Sequence, residues 1–338
     1  MGAKPSPGTS QAFKKLRSVV ITTALIALGF LTLLHCHQAM KRALDVVTAF
    51  RYRMETELQG RKDSMYPAPV CCTGVDCLQM QNSAGRPQSR RAILTYLRDD
   101  MYLPLVQQVE CTLRRVMPSM ELAVMVIDGE LSAHSMLVLQ QLNITIIPVN
   151  PLNIQNYYES RFSKNWLKIR AWELDQYDAI LLVDSDVAFA GDVQEVFDLP
   201  TPFAAVLDQP GLLHKEKIVV EIFQGGVFFI RPCPAVAKHM LDLVSNHPDL
   251  RFPYGNAEQE FVSWYFRYSA WLLPLEYNTM TRPSLVGNYT LGGRSPKILH
   301  YTSNKPFKGL DLKSPGHQYL CTNDELEARL RTNAFISV

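Results

Sequence analysis

Residues 177–193 contain the feature that most constrains the fold, an unbroken apolar run that ends in two carboxylates. The run extends from Ala179 to Val183, and Asp184 and Asp186 follow it one residue apart. An apolar run without polar alternation is typical of a parallel strand covered by helices on both faces. Ligands of such sheets bind at the carboxyl ends of the strands. We therefore predict that a buried strand delivers both carboxylates to a site, although Asp-Ser-Asp is also a common composition of surface turns.

The two carboxylates predict a class of ligand. Their oxygens are hard ligands that suit Mg²⁺ or Mn²⁺. A divalent ion held in this way usually also binds phosphate oxygens. The sequence therefore predicts a metal site that receives a phosphate-bearing ligand.

The pattern around this strand predicts an α/β protein with a mostly parallel sheet and flanking helices. Apolar strands alternate with amphipathic segments at the pace of successive βα units. Nucleotides are frequent ligands of this architecture. The predicted strands are residues 92–97, 122–127, 144–149, 179–183, 203–207, 226–230 and 297–301, and the predicted helices are an amphipathic segment that reaches about residue 115 and residues 132–142, 164–176, 234–245 and 257–268.

Composition excludes one large class of partner. Hydrophobic residues make up 47% of the 338 residues and charged residues 20%, so most of the chain is expected to fold. The formal net charge is only +2, and Lys and Arg are spread along the sequence. Nucleic acid is therefore not an expected partner.

The N-terminal region predicts a membrane anchor. Residues 18–36 contain no Asp, Glu, Lys or Arg, and a helix needs about 20 apolar residues to cross a bilayer. A cleaved signal peptide is the alternative, but its apolar region is usually about 7–15 residues, so a retained anchor is favoured. The preceding segment, residues 1–17, carries positive charge and no acid, which predicts a cytoplasmic tail and a luminal folded part.

The sequence beyond the anchor divides into three further parts. Residues 37–90 are predicted to form a helical stalk followed by a linker rich in Pro, Gly, Ser and Asn. Residues 91–310 are the predicted catalytic domain, and residues 311–338 a C-terminal tail. Within the tail, residues 324–331 alternate acidic and basic side chains, which predicts a solvated helix face.

Two further features fit a luminal domain. Asn143 and Asn288 begin N-glycosylation tripeptides. Cys71, Cys72 and Cys77 form a cluster without the additional ligand that a zinc site requires, so disulfides in an oxidising compartment are favoured, with the pairing left open. Cys36, at the end of the apolar segment, is a candidate for acylation or for pairing two chains in a homodimer.

Four features recur in a fixed order: a strand followed by an aromatic residue, a helix with a lysine ahead of Asp-x-Asp, a Gly-Gly strand, and a late strand that ends in histidine before Lys-Pro. This ordered set, over residues 91–310, resembles the glycogenin-like glycosyltransferases of family 8. The resemblance implies a single Rossmann-like α/β catalytic domain of the GT-A type. It also implies a nucleotide-sugar donor and retention of configuration at the reacting carbon.

The resemblance implies roles for individual residues. The metal ligands are Asp184, Asp186 and His300. The uridine-binding positions are Leu94, Thr95 and Tyr102. The two lysines that contact the diphosphate are Lys168 and Lys305. Two further donor-binding positions are Ser185 in the Asp-x-Asp segment and Gly225 in the Gly-Gly segment. The positions that line the sugar, the acceptor and the reacting carbon are Asp208, Gln224, Glu258 and Gln259.

Two of these positions depart from the family pattern. Glu258 stands where many members have Asp, which changes the reach of the carboxylate. Gln224 stands where glycogenins commonly carry Asn.

The charge balance of the implied reaction agrees with these roles. Breaking the bond between a sugar and UDP leaves negative charge on the departing phosphate, which a divalent ion and lysines compensate. Two carboxylates and one imidazole suit Mn²⁺ better than Ca²⁺ or Zn²⁺, and Mg²⁺ remains an alternative.

We therefore expect a type II Golgi membrane protein whose luminal domain moves a hexosyl group from a UDP-sugar to a glycan, protein or small-molecule acceptor. A soluble self-glucosylating primer is disfavoured by the anchor. A catalytically inactive luminal scaffold of the same fold is the alternative. A phosphatase or nucleotidase that uses the same carboxylates lacks a nucleophile motif of its own.

Overall fold

The computed structural model describes residues 71, 90–152, 154, 160–208, 222–246, 258–281, 294–302, 305–306 and 316–334. The predicted cytoplasmic tail, the predicted anchor 18–36, almost all of the stalk and linker, and Asn288 lie outside these ranges. Within the ranges, no helix is long and apolar enough to cross a membrane.

The described ranges form ten β-strands and five α-helices, with 3-10 segments between them. The α-helices are α1 (Leu103–Val116), α2 (Ala133–Gln141), α3 (Pro234–Asn246), α4 (Glu258–Phe266) and α5 (Asn323–Ala334). The strands are β1 (Arg91–Leu97), β2 (Glu121–Ile127), β3 (Thr145–Val149), β4 (Ala179–Val183), β5 (Val187–Phe189), β6 (Phe203–Leu207), β7 (Phe223–Ile230), β8 (Trp271–Leu273), β9 (Thr279–Met280) and β10 (Ile298–His300).

Seven strands form the main sheet, in the order β3-β2-β1-β4-β7-β6-β8. The pairs β3–β2, β2–β1 and β1–β4 are parallel, whereas β7 is antiparallel to both β4 and β6. All five residues of β4 are buried, as expected for a central strand covered on both faces. The predicted mostly parallel α/β sheet is confirmed.

The direction of β7 has a consequence for the site. Because β7 runs against β4, its beginning lies beside the end of β4, with Val227 opposite Val183. The next residue of the central strand segment, Asp184, donates its backbone N–H to the carbonyl of Gly226 at 2.9 Å. The Gly-Gly segment and the Asp-x-Asp segment are therefore neighbours.

A second sheet of three strands, in the order β5-β10-β9, follows the Asp-x-Asp segment. Strand β10 is antiparallel to β5 and places His300 opposite Val187. The backbone N–H of Tyr301 donates to the carbonyl of Asp186 at 2.9 Å. This pairing brings the late histidine to the two carboxylates.

Aromatic packing holds α4 and an earlier 3-10 segment against the sheet. The segment predicted as helix 164–176 is a 3-10 segment, Ser160–Glu173. Its Trp172 stacks on Phe266 of α4, with ring centroids 5.5 Å apart, and Phe266 stacks on Phe203 of β6 at 4.3 Å. All three rings are buried, so their contacts hold α4 and the 3-10 segment against the sheet.

The C-terminal segment is attached to α1. Cys111 and Cys321 form a disulfide, and the buried Gln108 side chain exchanges two hydrogen bonds with the backbone of Cys321, at 2.9 and 2.8 Å. The solvated face predicted for residues 324–331 is wrong at Arg329, whose guanidinium binds the buried carboxylate of Glu110 at 2.5 Å. The segment belongs to the same compact unit as the sheet.

A second disulfide joins Cys71 to Cys233. The predicted disulfide use of the cysteine cluster is therefore confirmed for Cys71. Asn143 lies exposed in the turn between α2 and β3, with a φ angle of 53°. Its glycosylation stays a prediction.

Candidate active site

Asp184 and Asp186 each turn one carboxylate oxygen toward His300. His300 Nε2 lies 3.2 Å from Asp186 Oδ1 and 3.6 Å from Asp184 Oδ2. One ligand atom from each of the three residues falls within 4.8 Å of the others, close enough to surround one ion. Two oxygen ligands and one imidazole nitrogen are a donor set that Mn²⁺ accepts. The residues therefore fit the predicted metal site.

The other oxygen of each carboxylate is already engaged. Asp184 Oδ1 pairs with Lys168 Nζ at 2.7 Å and accepts the Tyr96 hydroxyl at 3.2 Å. Asp186 Oδ2 pairs with the Lys305 ammonium. These contacts fix the rotation of both carboxylates, so that Asp184 Oδ2 and Asp186 Oδ1 remain directed at the histidine.

Charge around Asp186 keeps it ionised. Burial alone would raise the pKa of this carboxyl, but His300 and Lys305 outweigh burial and hold the pKa well below its usual range. An ionised carboxylate is the form that binds a cation.

Lys168 lies at the base of the site with its side chain buried. Its ammonium contacts three acceptors: Asp184 Oδ1 at 2.7 Å, Glu258 Oε1 at 2.7 Å and the carbonyl of Gly225 at 2.8 Å. Burial alone would lower the pKa of Lys168, but Asp184 and Glu258 raise it well above its ordinary value. In this structure the lysine therefore orients acidic side chains, and its contact with a donor phosphate stays a prediction.

Glu258 and Gln259 begin α4 and make different contacts. The Glu258 carboxylate is buried; Oε1 accepts from Lys168, and Oε2 has no hydrogen-bond partner among the described residues. Burial raises the pKa of Glu258. The Gln259 side chain accepts the Gly225 backbone N–H at 2.9 Å and donates to Asp208 Oδ2 at 3.1 Å. The structure thus brings the predicted residues Asp208, Gly225, Glu258 and Gln259 together.

The predicted uridine-binding residues lie along and beyond β1. Leu94 and Thr95 are fully buried in the strand, and Thr95 Oγ1 has no hydrogen-bond partner among the described residues. Tyr102 ends a 3-10 segment after β1, and the Arg98 guanidinium lies 4.6 Å from its ring centroid. Ser185 is buried between the two carboxylates. No contact of these residues tests the uridine prediction.

Two residues that contact the metal ligands were not identified from the sequence. Tyr96 binds Asp184 from the neighbouring strand, and its position near the end of an apolar strand was the available signal. Asn278 is buried, and its Oδ1 lies 3.0 Å from His300 Nδ1. No local pattern marks it, because β9 has only two residues.

Comparisons with known proteins support one assignment. The model of the family described as "Glycosyl transferase family 8" matches residues 93–309. Galactinol synthase 1 of Solanum lycopersicum is 25% identical over 46% of this chain and 53% of its own length. Glycogenin-2 of Homo sapiens is 24% identical over 69% of this chain and 48% of its own length. The chain thus spans about half the length of these relatives.

Solved structures support the fold. The galactosyltransferase LgtC, solved with donor and acceptor sugar analogues, superimposes with a TM-score of 0.54 and 17% identity, over 71% of this chain and 95% of that protein. The bifunctional glycosyltransferase WbbM gives 0.54 and 16%, over 72% of this chain and 50% of that protein.

The sheet and the likeness to these solved structures define an α/β domain with a GT-A-type fold, and three of its residues could hold a metal ion. The family model covers well over half of the chain, so the protein belongs to glycosyltransferase family 8. The resemblance identified from the sequence is confirmed.

Proposed function

We propose that this protein transfers a hexosyl group from a UDP-sugar to a glycan or other acceptor, with Mn²⁺ as the metal and with retention of configuration. The observation that carries the proposal is the convergence of Asp184 Oδ2, Asp186 Oδ1 and His300 Nε2. Two lysines, Lys168 and Lys305, flank these atoms. Both lysines pair with the carboxylates in this structure, and Lys305 is the one exposed enough to reach a phosphate as well.

The chemistry explains this combination. Departure of UDP leaves negative charge on the diphosphate, and a divalent ion at the three ligands supplies positive charge there. Lys305 is half-exposed beside Asp186, so its ammonium can exchange the carboxylate for a phosphate oxygen. Lys168 neutralises Asp184 from the buried side and keeps its second oxygen in place.

The sugar belongs on the side of Gly225. Gln259 joins the Gly225 backbone to Asp208 through two hydrogen bonds, and Gly225 precedes the residue that pairs with Asp184. Fixed amide and carboxylate groups select a sugar by the hydroxyl groups that they can hydrogen-bond. Turnover of a panel of UDP-sugars is therefore expected to differ between donors that differ only in the position of one hydroxyl group.

The cellular setting is part of the proposal. The charge pattern of residues 1–36 supports a type II membrane orientation with a luminal catalytic domain, and we propose the Golgi as the membrane. The disulfides of Cys71 and Cys111 suit an oxidising compartment. Protease protection of a C-terminal epitope in intact vesicles tests this topology, and a cleavable epitope would contradict it.

The direct test is calorimetric titration of the purified full-length protein with UDP, with and without Mn²⁺, followed by turnover of UDP-sugars. We expect UDP binding that requires Mn²⁺, and hydrolysis or transfer with one preferred donor. NMR of the product would report the configuration at the reacting carbon. Binding of UDP without turnover of any donor would favour an inactive scaffold, and absence of both would exclude the proposed function.

A further inference from the structure

Asn278 occupies a buried position behind the histidine of the site. It follows the 3-10 segment Leu275–Tyr277 and immediately precedes β9, whose Met280 pairs with His300. Only 1% of its surface is exposed. Its side chain contacts the ring at Nδ1, whereas the two carboxylates lie near Nε2.

The orientation of the Asn278 amide follows from a backbone donor. The N–H of Gly226 donates to Gln224 Oε1 at 2.6 Å, which identifies that atom of Gln224 as the oxygen. The Asn278 atom next to this oxygen must be a donor, so it is the amide nitrogen Nδ2. The remaining atom, Asn278 Oδ1, is the acceptor that faces His300 Nδ1 at 3.0 Å.

An acceptor at this distance requires a proton on Nδ1. The Gln224 amide nitrogen also lies 3.2 Å from Nδ1 and would donate to an unprotonated ring nitrogen. That arrangement, however, would set the unshared electron pair of Nδ1 against the Asn278 oxygen. It is disfavoured because the closer pair of atoms, 3.0 Å apart, would then both be acceptors in a buried site, whereas a proton on Nδ1 opposes the Gln224 amide nitrogen only at the longer distance of 3.2 Å.

Packing prevents the ring from escaping this arrangement. A Cβ atom at Gly226 would overlap Cε1 and Nδ1 of His300, so the backbone of β7 lies directly against the imidazole. With Nδ1 bonded to Asn278 and the ring held by β7, the atom left facing Asp184 and Asp186 is Nε2.

We propose that Asn278 is a positioning residue that keeps the proton on Nδ1 of His300 and so leaves Nε2 as the metal-binding atom. A ligating histidine is commonly held in this way through its second ring nitrogen. The proposal rests on the proposed function for its metal. The state of the ring, however, is measurable in the metal-free protein.

The first measurement is NMR of the full-length protein labelled with ¹⁵N-histidine. Long-range ¹H–¹⁵N correlations, recorded in the alkaline range, report separately whether Nδ1 and Nε2 of each histidine carry a proton. The His300 signal is assigned by its absence in His300→Gln. We expect Nδ1 to carry a proton in the wild type. In Asn278→Ala the only acceptors left at the ring among the described residues face Nε2, so the proton on Nδ1 should be lost, and an unprotonated Nδ1 in the wild type would overturn the proposal.

The second measurement is Mn²⁺ affinity by electron paramagnetic resonance. Asn278→Ala is expected to bind Mn²⁺ roughly ten- to a hundredfold more weakly. Thr281→Ala is the matched control, because buried Thr281 binds the backbone carbonyl of His300 at 3.3 Å and not its ring. It should bind Mn²⁺ like the wild type, and an equal loss in both variants would mean that the role of Asn278 is only structural.

The outcomes separate the two proposals. If the wild type binds Mn²⁺ and Asn278→Ala binds it equally well, the positioning role is overturned and the proposed function stands. If the wild type binds no Mn²⁺, the proposed function loses its metal, and the tautomer measurement alone decides whether Asn278 holds the ring.

Discussion

The backbone of Gly226 lies in direct contact with the imidazole of His300, and an added Cβ would overlap two ring atoms. Strand β7 thus packs against the histidine ring and limits its movement away from the carboxylates at the end of β4. The glycine is required here for close approach, not for an unusual backbone conformation.

Gly226→Ala is therefore expected to displace His300. Overpacking of a buried site costs about 1–3 kcal/mol of stability, and Mn²⁺ affinity should fall by roughly tenfold or more. Urea unfolding and Mn²⁺ titration measure the two effects. The control is Gly191→Ala, whose Cβ would meet Lys297 at an ordinary 3.5 Å, and equal losses in both variants would contradict the close-contact explanation.

Asp184→Asn should abolish turnover through loss of the metal. The amide keeps the size of the side chain but removes the charge that binds a cation. Thermal stabilisation by Mn²⁺ plus UDP is expected to disappear as well. Asp192→Asn, at an exposed site in the following loop, should behave like the wild type. Normal activity of Asp184→Asn at low Mn²⁺ would end the assignment, whereas recovery in excess Mn²⁺ would agree with it.

Lys168→Met should be strongly destabilising. It leaves Asp184 and Glu258 near each other without their shared cation, and removing one partner from a buried ion pair typically costs about 3–5 kcal/mol. Adding Glu258→Gln should recover part of this loss, because one uncompensated charge is removed. Urea unfolding of the single and double variants measures the coupling.

Lys164→Met is the comparison for this cycle. Lys164 lies in the same 3-10 segment as Lys168 and pairs with Glu130 at 2.6 Å, but both side chains of this pair are more than a third exposed. Its loss should cost no more than about 1 kcal/mol. Additive losses in the Lys168 and Glu258 variants would show that the two residues do not act as a pair.

Glu121 predicts a pH-dependent contribution to stability. Burial alone would raise the pKa of its carboxyl, but hydrogen bonds to the carboxylate outweigh burial and lower the pKa. The donors are Arg90 at 3.0 Å, Tyr177 at 2.7 Å and Thr145 at 3.0 Å. A lowered folded pKa means that this stabilisation is complete above the unfolded pKa of about 4.3 and is lost as the pH falls through the folded pKa.

Glu121→Gln is expected to cost about 2 kcal/mol at neutral pH, and the difference from the wild type should shrink in acid. Urea unfolding at both pH values measures it. Glu130→Gln, at a more exposed carboxylate, should show a small difference at either pH. A difference for Glu121→Gln that grows in acid would contradict the assigned direction of the shift.

The disulfide between Cys111 and Cys321 should stabilise the protein. It joins residues 210 apart, and removal of such a crosslink typically costs about 2–4 kcal/mol. The double variant Cys111→Ala/Cys321→Ala should unfold at a lower temperature than the wild type, measured by calorimetry without reductant. Adding reductant should lower the unfolding temperature of the variant less than that of the wild type. Identical unfolding of the two proteins would contradict a structural role of the disulfide.

The long strands could be predicted because their signal is local. The apolar runs of β1, β2 and β4 are continuous, and each strand was located to within one residue. The strands β5, β8 and β9 were not predicted; they have three residues or fewer, which leaves little room for a periodic pattern, and β10, which is equally short, was predicted. The segment predicted as a helix at 164–176 is a 3-10 segment, a distinction that the spacing of its apolar residues does not make.

The sequence by itself determined that two carboxylates end a buried strand and that a lysine helix, a Gly-Gly strand and a late histidine accompany them in the order of family 8. Only the tertiary structure decided which atoms meet. The antiparallel direction of β7 places Gly226 against His300, and pairing of β10 with β5 brings that histidine to Asp186. Such contacts depend on strand register between distant segments, and register is set by the packing of the whole domain and not by any local pattern.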